Sequence, residues 1–197
     1  MNQEDLADVL NRAGTKAVHL YSEISSNAQA NEVPETYLSS MMATGIHELL
    51  PGYQVHVERP YTRIARDLGR NPDAMQALKI QGLKADIALY HLGTPVALVE
   101  VKIFDEGRQP LGIVADLQKD AGIFSGSGLE IYAAVMVCET TDIRLDGRLG
   151  AIDQSMQTNL QERAVEPFLA GEKQTCDRWK WCFACARLRT TSNQGMQ

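Results

Sequence analysis

Beyond Lys84 at its start, three charged side chains interrupt an otherwise apolar stretch at residues 83–103. Asp86 lies in its first half, and Glu100 and Lys102 flank Val101 in its second half. In an extended strand, residues two apart point to the same face, roughly 7 Å from each other, so Glu100 and Lys102 share a face. If the halves pair across the Gly-Thr-Pro sequence between them, Asp86 comes near Glu100. Two carboxylates beside one ammonium are costly to keep together unless something uses them.

These three groups suit the hydrolysis of a phosphodiester, which needs charge neutralisation, a positioned water and stabilisation of the departing oxygen. Asp86 and Glu100 supply the hard oxygen ligands that Mg²⁺ prefers. Lys102 can orient the attacking water and oppose the phosphate charge, whereas a role as base would require a lowered pKa. We therefore expect the orienting role. The same pattern also fits a half-exposed strand whose Glu100 and Lys102 form a solvent-side pair.

Alternation and helical periodicity predict the elements around this stretch. A helix is predicted at 4–24, and a second begins at Pro34 and ends at Pro51. A strand at 53–61 leads into a long connection at 63–82, with helical turns around 74–78. After the hairpin come a helix at 110–124, an apolar strand at 129–138, a polar loop at 139–150, a helix at 152–169 and a strand at 179–188.

This order predicts an α/β fold with a central mixed β-sheet flanked by helices. The helix at 110–124 should act as a right-handed crossover, which makes the strands on either side of it parallel. The strand at 129–138 should be central because it is apolar on both faces. We divide the 197 residues into an N-terminal helical extension at 1–33, one domain at 34–189 and a flexible tail at 190–197.

The spacing of Asp86, thirteen further residues and then Glu100-Val101-Lys102 resembles the PD-(D/E)XK nuclease superfamily. The resemblance covers residues 34–138 and includes the order of elements, although Ala85 stands where that family has a proline. It implies a restriction-endonuclease-like core and a Mg²⁺-dependent nuclease, with Mn²⁺ as a substitute and DNA as the expected substrate. It also implies that the main-chain carbonyl of Val101 is a further metal ligand.

Many members of that family complete the metal site with a glutamate from the first core helix. By element order this is Glu48, with Glu35 as the weaker candidate, although helical geometry alone favours a surface position for Glu48. Auxiliary polar residues of the family correspond to the helix at 110–124. There Asp116 and Gln118 flank the apolar stripe and Lys119 points outward.

The net charge of −6 argues against a protein that coats nucleic acid through bulk electrostatics. The net charge is locally positive at residues 59–84, where only two acidic residues accompany a group of basic ones. This segment is either a solvated loop or a contact to the phosphate backbone. The basic residues are Arg59, Arg63, Arg66, Arg70, Lys79 and Lys84.

The four cysteines are more consistent with free thiols than with disulfides, because the acidic N-terminus lacks an export signal. Cys182 and Cys185 have CxxC spacing and Cys176 lies nearby, so a zinc site is conceivable. No histidine accompanies them, and buried thiols in a strand are the preferred interpretation. The longest apolar run, at 131–138, is too short to cross a bilayer, so we expect a cytoplasmic protein with no membrane partner.

Two functions compete on the sequence alone. The first is the nuclease, for which a homodimer is compatible because many relatives dimerise. The second is a catalytically silent nuclease-fold module that binds or regulates through a protein partner. A third class, a different metal enzyme or a small-ligand protein, has no Gly-rich phosphate loop, His-rich motif or nucleophile elbow to support it.

Overall fold

Apolar, β-branched runs build the sheet on which the molecule is organised. The computed structural model describes residues 3–25, 29–71, 80–105, 111–160 and 165–188. The helices are α1 (Gln3–Ile24), α2 (Glu35–Leu49), α3 (Tyr61–Asp67), α4 (Leu111–Ile123) and α5 (Asp142–Asn159). The strands are β1 (Tyr53–Pro60), β2 (Lys84–His91), β3 (Thr94–Phe104), β4 (Glu130–Glu139), β5 (Leu169–Ala170), β6 (Gln174–Cys176) and β7 (Trp179–Leu188).

The described strands form one mixed, seven-stranded sheet in the order β1-β2-β3-β4-β7-β5, with β6 also paired to β7. β3 and β4 run parallel and are joined through α4, whereas the other neighbouring pairs are antiparallel. The predicted α/β class, the mixed sheet and the parallel crossover are therefore confirmed. β4 is central and buried along nearly its whole length, as its apolar composition predicts.

Helices cover both faces of the sheet. α1 and α2 pack on one face, against Val99, Val101 and Ile103 of β3. On the opposite face, α4 and α5 pack around Phe104, and α3 packs near Leu98. Because side chains alternate along a strand, Glu100 and Lys102 lie between Leu98 and Phe104, on the face that α4 covers. The sheet therefore directs both charged groups toward α4.

The N-terminal helix is part of this core and not an extension of it. Leu6 and Leu10 of α1 are fully buried in the cluster that also contains α2. A Cβ at Gly14 would lie 2.5 Å from the Phe183 ring of β7, so the helix reaches the sheet only because residue 14 has no side chain. Although the sequence suggests a division at residue 33, α1 shares one hydrophobic cluster with α2 and the sheet.

Several local expectations differ from the structure. The hairpin turns at Leu92 and Gly93, whose φ angles are +51° and +79°, and Thr94 already belongs to β3. Such two-residue turns match the twist of the paired strands. A helix, α3, occupies the start of the predicted long connection, where Pro60 caps a turn with buried Ile64.

The region after β4 also differs from the prediction. The predicted polar loop at 139–150 is largely the first half of α5, which begins after Thr141. The Thr141 hydroxyl accepts a hydrogen bond from the Arg144 backbone N–H at 3.3 Å and so caps the helix. The helix ends at Asn159, and β5 occupies Leu169–Ala170. The predicted turns at 74–78 and tail at 190–197 lie outside the described residues.

The cysteines are free, and three of the four are buried, which confirms the interpretation as strand thiols. Cys182 packs in the cluster with α4 and α5, whereas Cys185 packs in the cluster with α1 and α2. Because residues three apart in a strand face opposite sides, these two thiols cannot ligate one ion. None of the described helices combines the length and the apolar character needed to cross a membrane.

Candidate active site

The hairpin opens where its charged residues lie. β2 and β3 pair from the turn as far as Ile87 and Val99. Beyond that pair, the backbone N–H of Val101 donates to Oδ2 of Asp86 at 2.8 Å. Asp86 therefore replaces the missing strand partner. Since the N–H and C=O of one strand residue point to the same side, the Val101 carbonyl also faces this opening.

Lys102 lies among three carboxylates from three elements. Its Nζ is 3.2 Å from Oε1 of Glu35 on α2, 3.4 Å from Oδ2 of Asp116 on α4, and 4.0 Å from Oδ2 of Asp86. Burial alone lowers the pKa of Lys102, but Asp86, Glu35 and Asp116 together outweigh it and raise the pKa above its usual value. Lys102 is therefore a cation at neutral pH, which favours an orienting role over that of a base.

Glu100 lies deeper, with 3% of its surface exposed, and faces Asp120 of α4, which is fully buried. The Tyr61 hydroxyl donates to Oδ1 of Asp120 and lies 3.4 Å from Oε1 of Glu100. Burial raises the pKa of Glu100, and the charges of Asp120 and Asp86 raise it further. Burial also raises the pKa of Asp120, against the opposing effect of its hydrogen bond from Tyr61. The two carboxyls form a buried acidic pair, and the positive charge of Lys119 offsets their raised pKa values only in part.

Lys119 supports the edge of this cluster. Its Nζ lies 2.9 Å from Oδ1 of Asp116 and 5.5 Å from the centroid of the Tyr61 ring. Burial raises the pKa of Asp86, although the Val101 N–H and Lys102 act in the opposite direction. Acids thus outnumber bases around the opening, and burial is the main cause of their raised pKa values.

The donor set suits a hard divalent cation. Asp86 and Glu100 offer carboxylate oxygens beside the Val101 carbonyl, and buried Oδ2 of Asp120 has no hydrogen-bond partner in the structure. Among the described residues, no group of three or more His, Cys, Asp or Glu side chains is already arranged to hold an ion. Two carboxylates and a carbonyl still fit Mg²⁺, which keeps several of its waters in protein sites.

The two glutamates of α2 have different positions from those expected. Glu48 is 54% exposed and pairs with Lys16 of α1 at 2.6 Å, away from the hairpin. Glu35, at the first turn of α2, contacts Lys102 instead. The geometry therefore brings Glu35 and not Glu48 to the opening of β2 and β3, because α2 presents its first turn there.

The auxiliary residues of α4 also differ in position from what the sequence predicts. Asp116 joins the cluster as expected, but Lys119 joins it too, although it was expected to point outward. Gln118 does not join, because its side-chain amide donates to the Asn159 carbonyl on the exposed surface. Asp120 and Tyr61 were missed. Asp120 follows Asp116 by one helical turn, a spacing that could have placed both on one face.

The basic residues of 59–84 mostly have partners within the chain. Arg59 and Arg63 both contact Asp67, at 2.9 and 3.3 Å. Arg70 donates to the carbonyls of Ile123 and Ser125, and Lys84 pairs with Glu58 at 3.1 Å. Arg66 is exposed on α3, and Lys79 lies outside the described residues. Much of this segment therefore has a structural role.

A groove of about 720 Å³ lies elsewhere, between α1 and the β5–β6 edge. Its lining includes Arg12, Lys16 and Gly171 and none of the residues around the hairpin opening.

No model of a known protein family matches the chain, and its comparison with curated proteins and with solved structures also returned no match. The site must therefore be interpreted from its own chemistry.

Proposed function

We propose that the chain is a metal-dependent nuclease with a restriction-endonuclease-like core, related to the PD-(D/E)XK superfamily, and that its substrate is DNA. One observation carries the proposal: Asp86, Glu100 and Lys102 converge at the opening of one hairpin, between α2 and α4. The order of α2, β1, β2, β3, α4 and β4, with α3 inserted between β1 and β2 and with β3 parallel to β4, supports it as well. DNA is proposed from the resemblance alone.

Asp86, Glu100 and the Val101 carbonyl would hold Mg²⁺, or Mn²⁺ in its place. When bound, the ion supplies Lewis-acid neutralisation of the phosphate charge. Lys102 donates hydrogen bonds to the attacking water or to a phosphate oxygen, and it remains protonated throughout. Glu35 and Asp116 fix the direction of the Lys102 ammonium through contacts of 3.2 and 3.4 Å. Exposed Arg66 is the basic residue of α3 best placed to meet a phosphate backbone.

The competing function is a catalytically silent module that requires a protein partner. The internal pairing of Arg59, Arg63, Arg70 and Lys84 favours it, because these charges are already engaged within the chain. The retained cluster of Asp86, Glu100 and Lys102 argues the other way, since an unused site is free to lose its costly charges.

The test is cleavage of linear, circular, single-stranded and branched DNA, and of RNA, by the purified chain with Mg²⁺ or Mn²⁺. Asp86→Asn should lower the rate by at least about 100-fold, while its amide oxygen still accepts the Val101 N–H. Lys102→Met should lower the rate by a similar factor. Glu48→Gln is the matched acid-to-amide control and should cleave like the wild type.

Equal rates in Asp86→Asn, Lys102→Met and the wild type would contradict the assignment. No cleavage of any substrate, together with a stable protein complex recovered from the native host, would favour the silent module. Thermal unfolding of each variant separates loss of chemistry from loss of folding.

A further inference from the structure

One tyrosine hydroxyl links the two buried carboxyls behind the hairpin. Tyr61, Glu100 and Asp120 come from α3, β3 and α4, and each is at most 3% exposed. The Tyr61 hydroxyl donates to Oδ1 of Asp120 and also lies 3.4 Å from Oε1 of Glu100. The three groups therefore form one contact between three elements, directly behind the residues that face the opening.

The hydroxyl and the ring of Tyr61 have separate roles. The ring packs edge-on against Phe124, with centroids 5.3 Å apart, and Lys119 lies over it. That packing needs no oxygen. The hydroxyl has a single proton, which two carboxyls approach, so the orientation of Glu100 depends on where Tyr61 and Asp120 hold that proton.

We propose that Tyr61 and Asp120 are positioning residues, which fix the Glu100 carboxyl so that it can ligate the metal ion at the hairpin opening. This inference rests on the proposed nuclease function. Neither residue needs to touch substrate, because each acts through Glu100. Groups that hydrogen-bond a metal ligand typically change metal affinity or activity by 10- to 100-fold when they are removed.

A matched tyrosine serves as the control. Tyr90 is 2% exposed, and its hydroxyl donates to Oδ2 of Asp67 at 2.9 Å, so it also forms a Tyr–Asp pair. It packs in the same apolar cluster as Tyr61 but does not contact Glu100. Tyr90→Phe therefore removes the same atom from the same kind of bond, away from the hairpin opening.

The experiment measures binding of Mn²⁺ alone, by electron paramagnetic resonance of the free ion, and then steady-state DNA cleavage. Tyr61→Phe should raise the Kd for Mn²⁺ and lower kcat, each by about 10- to 100-fold, with KM for DNA within about threefold of wild type. Tyr90→Phe should leave all three values within about twofold. Near-ultraviolet circular dichroism confirms that both variants are folded.

Two changes at Asp120 distinguish positioning from direct ligation. In Asp120→Asn, Oδ1 still accepts from Tyr61 and the amide can donate to Glu100, so Mn²⁺ affinity should fall less than in Asp120→Ala. Equal losses in the two variants would overturn the positioning role, because a direct ligand loses its charge in both.

The remaining outcomes separate this inference from the function on which it rests. If the wild type binds Mn²⁺ and cleaves DNA, and Tyr61→Phe behaves like Tyr90→Phe, only the positioning role is overturned. If the wild type neither binds Mn²⁺ nor cleaves nucleic acid, the nuclease assignment is overturned, and the positioning role with it.

Discussion

Two tyrosine–aspartate pairs lie in one molecule and have opposite electrostatic settings. The Tyr90 hydroxyl donates to Asp67, which also receives contacts from Arg59 and Arg63 at 2.9 and 3.3 Å. The Tyr61 hydroxyl donates to Asp120, which interacts with a second buried acid, Glu100, as well as with the charge of Lys119. The first aspartate is thus surrounded by cations, and the second faces another carboxyl.

The two settings produce opposite pKa shifts. Burial alone raises the pKa of Asp67, but the hydrogen bonds from Tyr90 and Arg59 and the nearby arginine charges outweigh it, and the pKa falls below its usual value. Burial raises the pKa of Glu100 and of Asp120, and the opposing effects, which include the charge of Lys119, are too small to cancel it. The first setting therefore favours an ionised aspartate, whereas the second disfavours ionised carboxyls, whose charged form a bound cation would favour.

The largest expected effect follows from Glu100→Gln, which replaces one acid of the buried pair with a neutral amide. Cleavage should fall by at least about 100-fold, since the proposed metal ligand is lost. The free energy of unfolding at pH 8 should rise by about 1–3 kcal/mol, because the amide is neutral and can donate to Asp120. Urea unfolding and initial cleavage rates measure the two quantities on the same preparation.

The pH dependence of the same variant tests whether Glu100 lowers the stability of the fold as pH rises. A raised folded-state pKa means that the folded chain binds this proton more tightly than the unfolded chain does. The wild type therefore loses stability as pH rises above about 4.5, the unfolded value for Glu100, and this contribution should be absent in Glu100→Gln. If the variant is less stable than the wild type at both pH 6 and pH 8, the neighbouring groups already stabilise the Glu100 carboxylate, and the expected destabilisation is wrong.

A smaller effect is expected from the glutamates of α2. Glu35→Gln removes one of the carboxylates that direct Lys102, so cleavage should fall by about 10-fold. Glu48→Gln should leave the rate unchanged, because its partner Lys16 is 65% exposed and distant from the hairpin. Initial rates at saturating Mg²⁺ decide between them, and a greater loss in Glu48→Gln would restore the order that the sequence suggested.

Asp67→Asn should affect stability and not chemistry. We expect a loss of about 1–2 kcal/mol near pH 7, since a charged acceptor is removed from a half-buried network. A depressed folded-state pKa gives stability that is present above the unfolded value, about 3.8, and is lost as pH falls through the lower folded value. Acid unfolding of the wild type should therefore steepen below about pH 4, and Asp67→Asn should lack that component while retaining normal cleavage.

The sequence predicts the fold well where periodicity is strong. β7 agrees residue for residue with the predicted strand at 179–188, and β4 is central and parallel to β3 as its composition indicates. Prediction was wrong at α5, because its apolar positions are sparse and a cap at Thr141 determines its start. The helix predicted at 4–24 corresponds to α1, but its packing on β7 was not predictable, since the contact of Gly14 with Phe183 joins segments far apart in sequence.

The sequence predicted only those site residues that alternation along one strand and pairing across its hairpin bring together. Glu100 and Lys102 follow from alternation within β3, and Asp86 follows from pairing across the hairpin. Glu35, Tyr61 and Asp120 depend on how α2, α3 and α4 dock on the sheet, which local patterns do not encode. Asp120 lay on the apolar side of its helix, where an acid is unexpected without a partner to identify it.

The smallest expected effect concerns the arginines that compensate Asp67. Arg63 is 52% exposed and contacts Asp67 one helical turn away at 3.3 Å, so Arg63→Gln should cost at most about 0.5 kcal/mol. Because Arg63 is engaged in this way, the salt dependence of DNA binding should also be unchanged. Arg66→Gln, on the exposed face of the same helix, should instead reduce the slope of log affinity against log salt by about one. Titrations by fluorescence anisotropy at four salt concentrations compare the two. A reduced slope in Arg63→Gln would show that DNA competes with Asp67 for this arginine, and the compensated pair would then be part of the substrate surface.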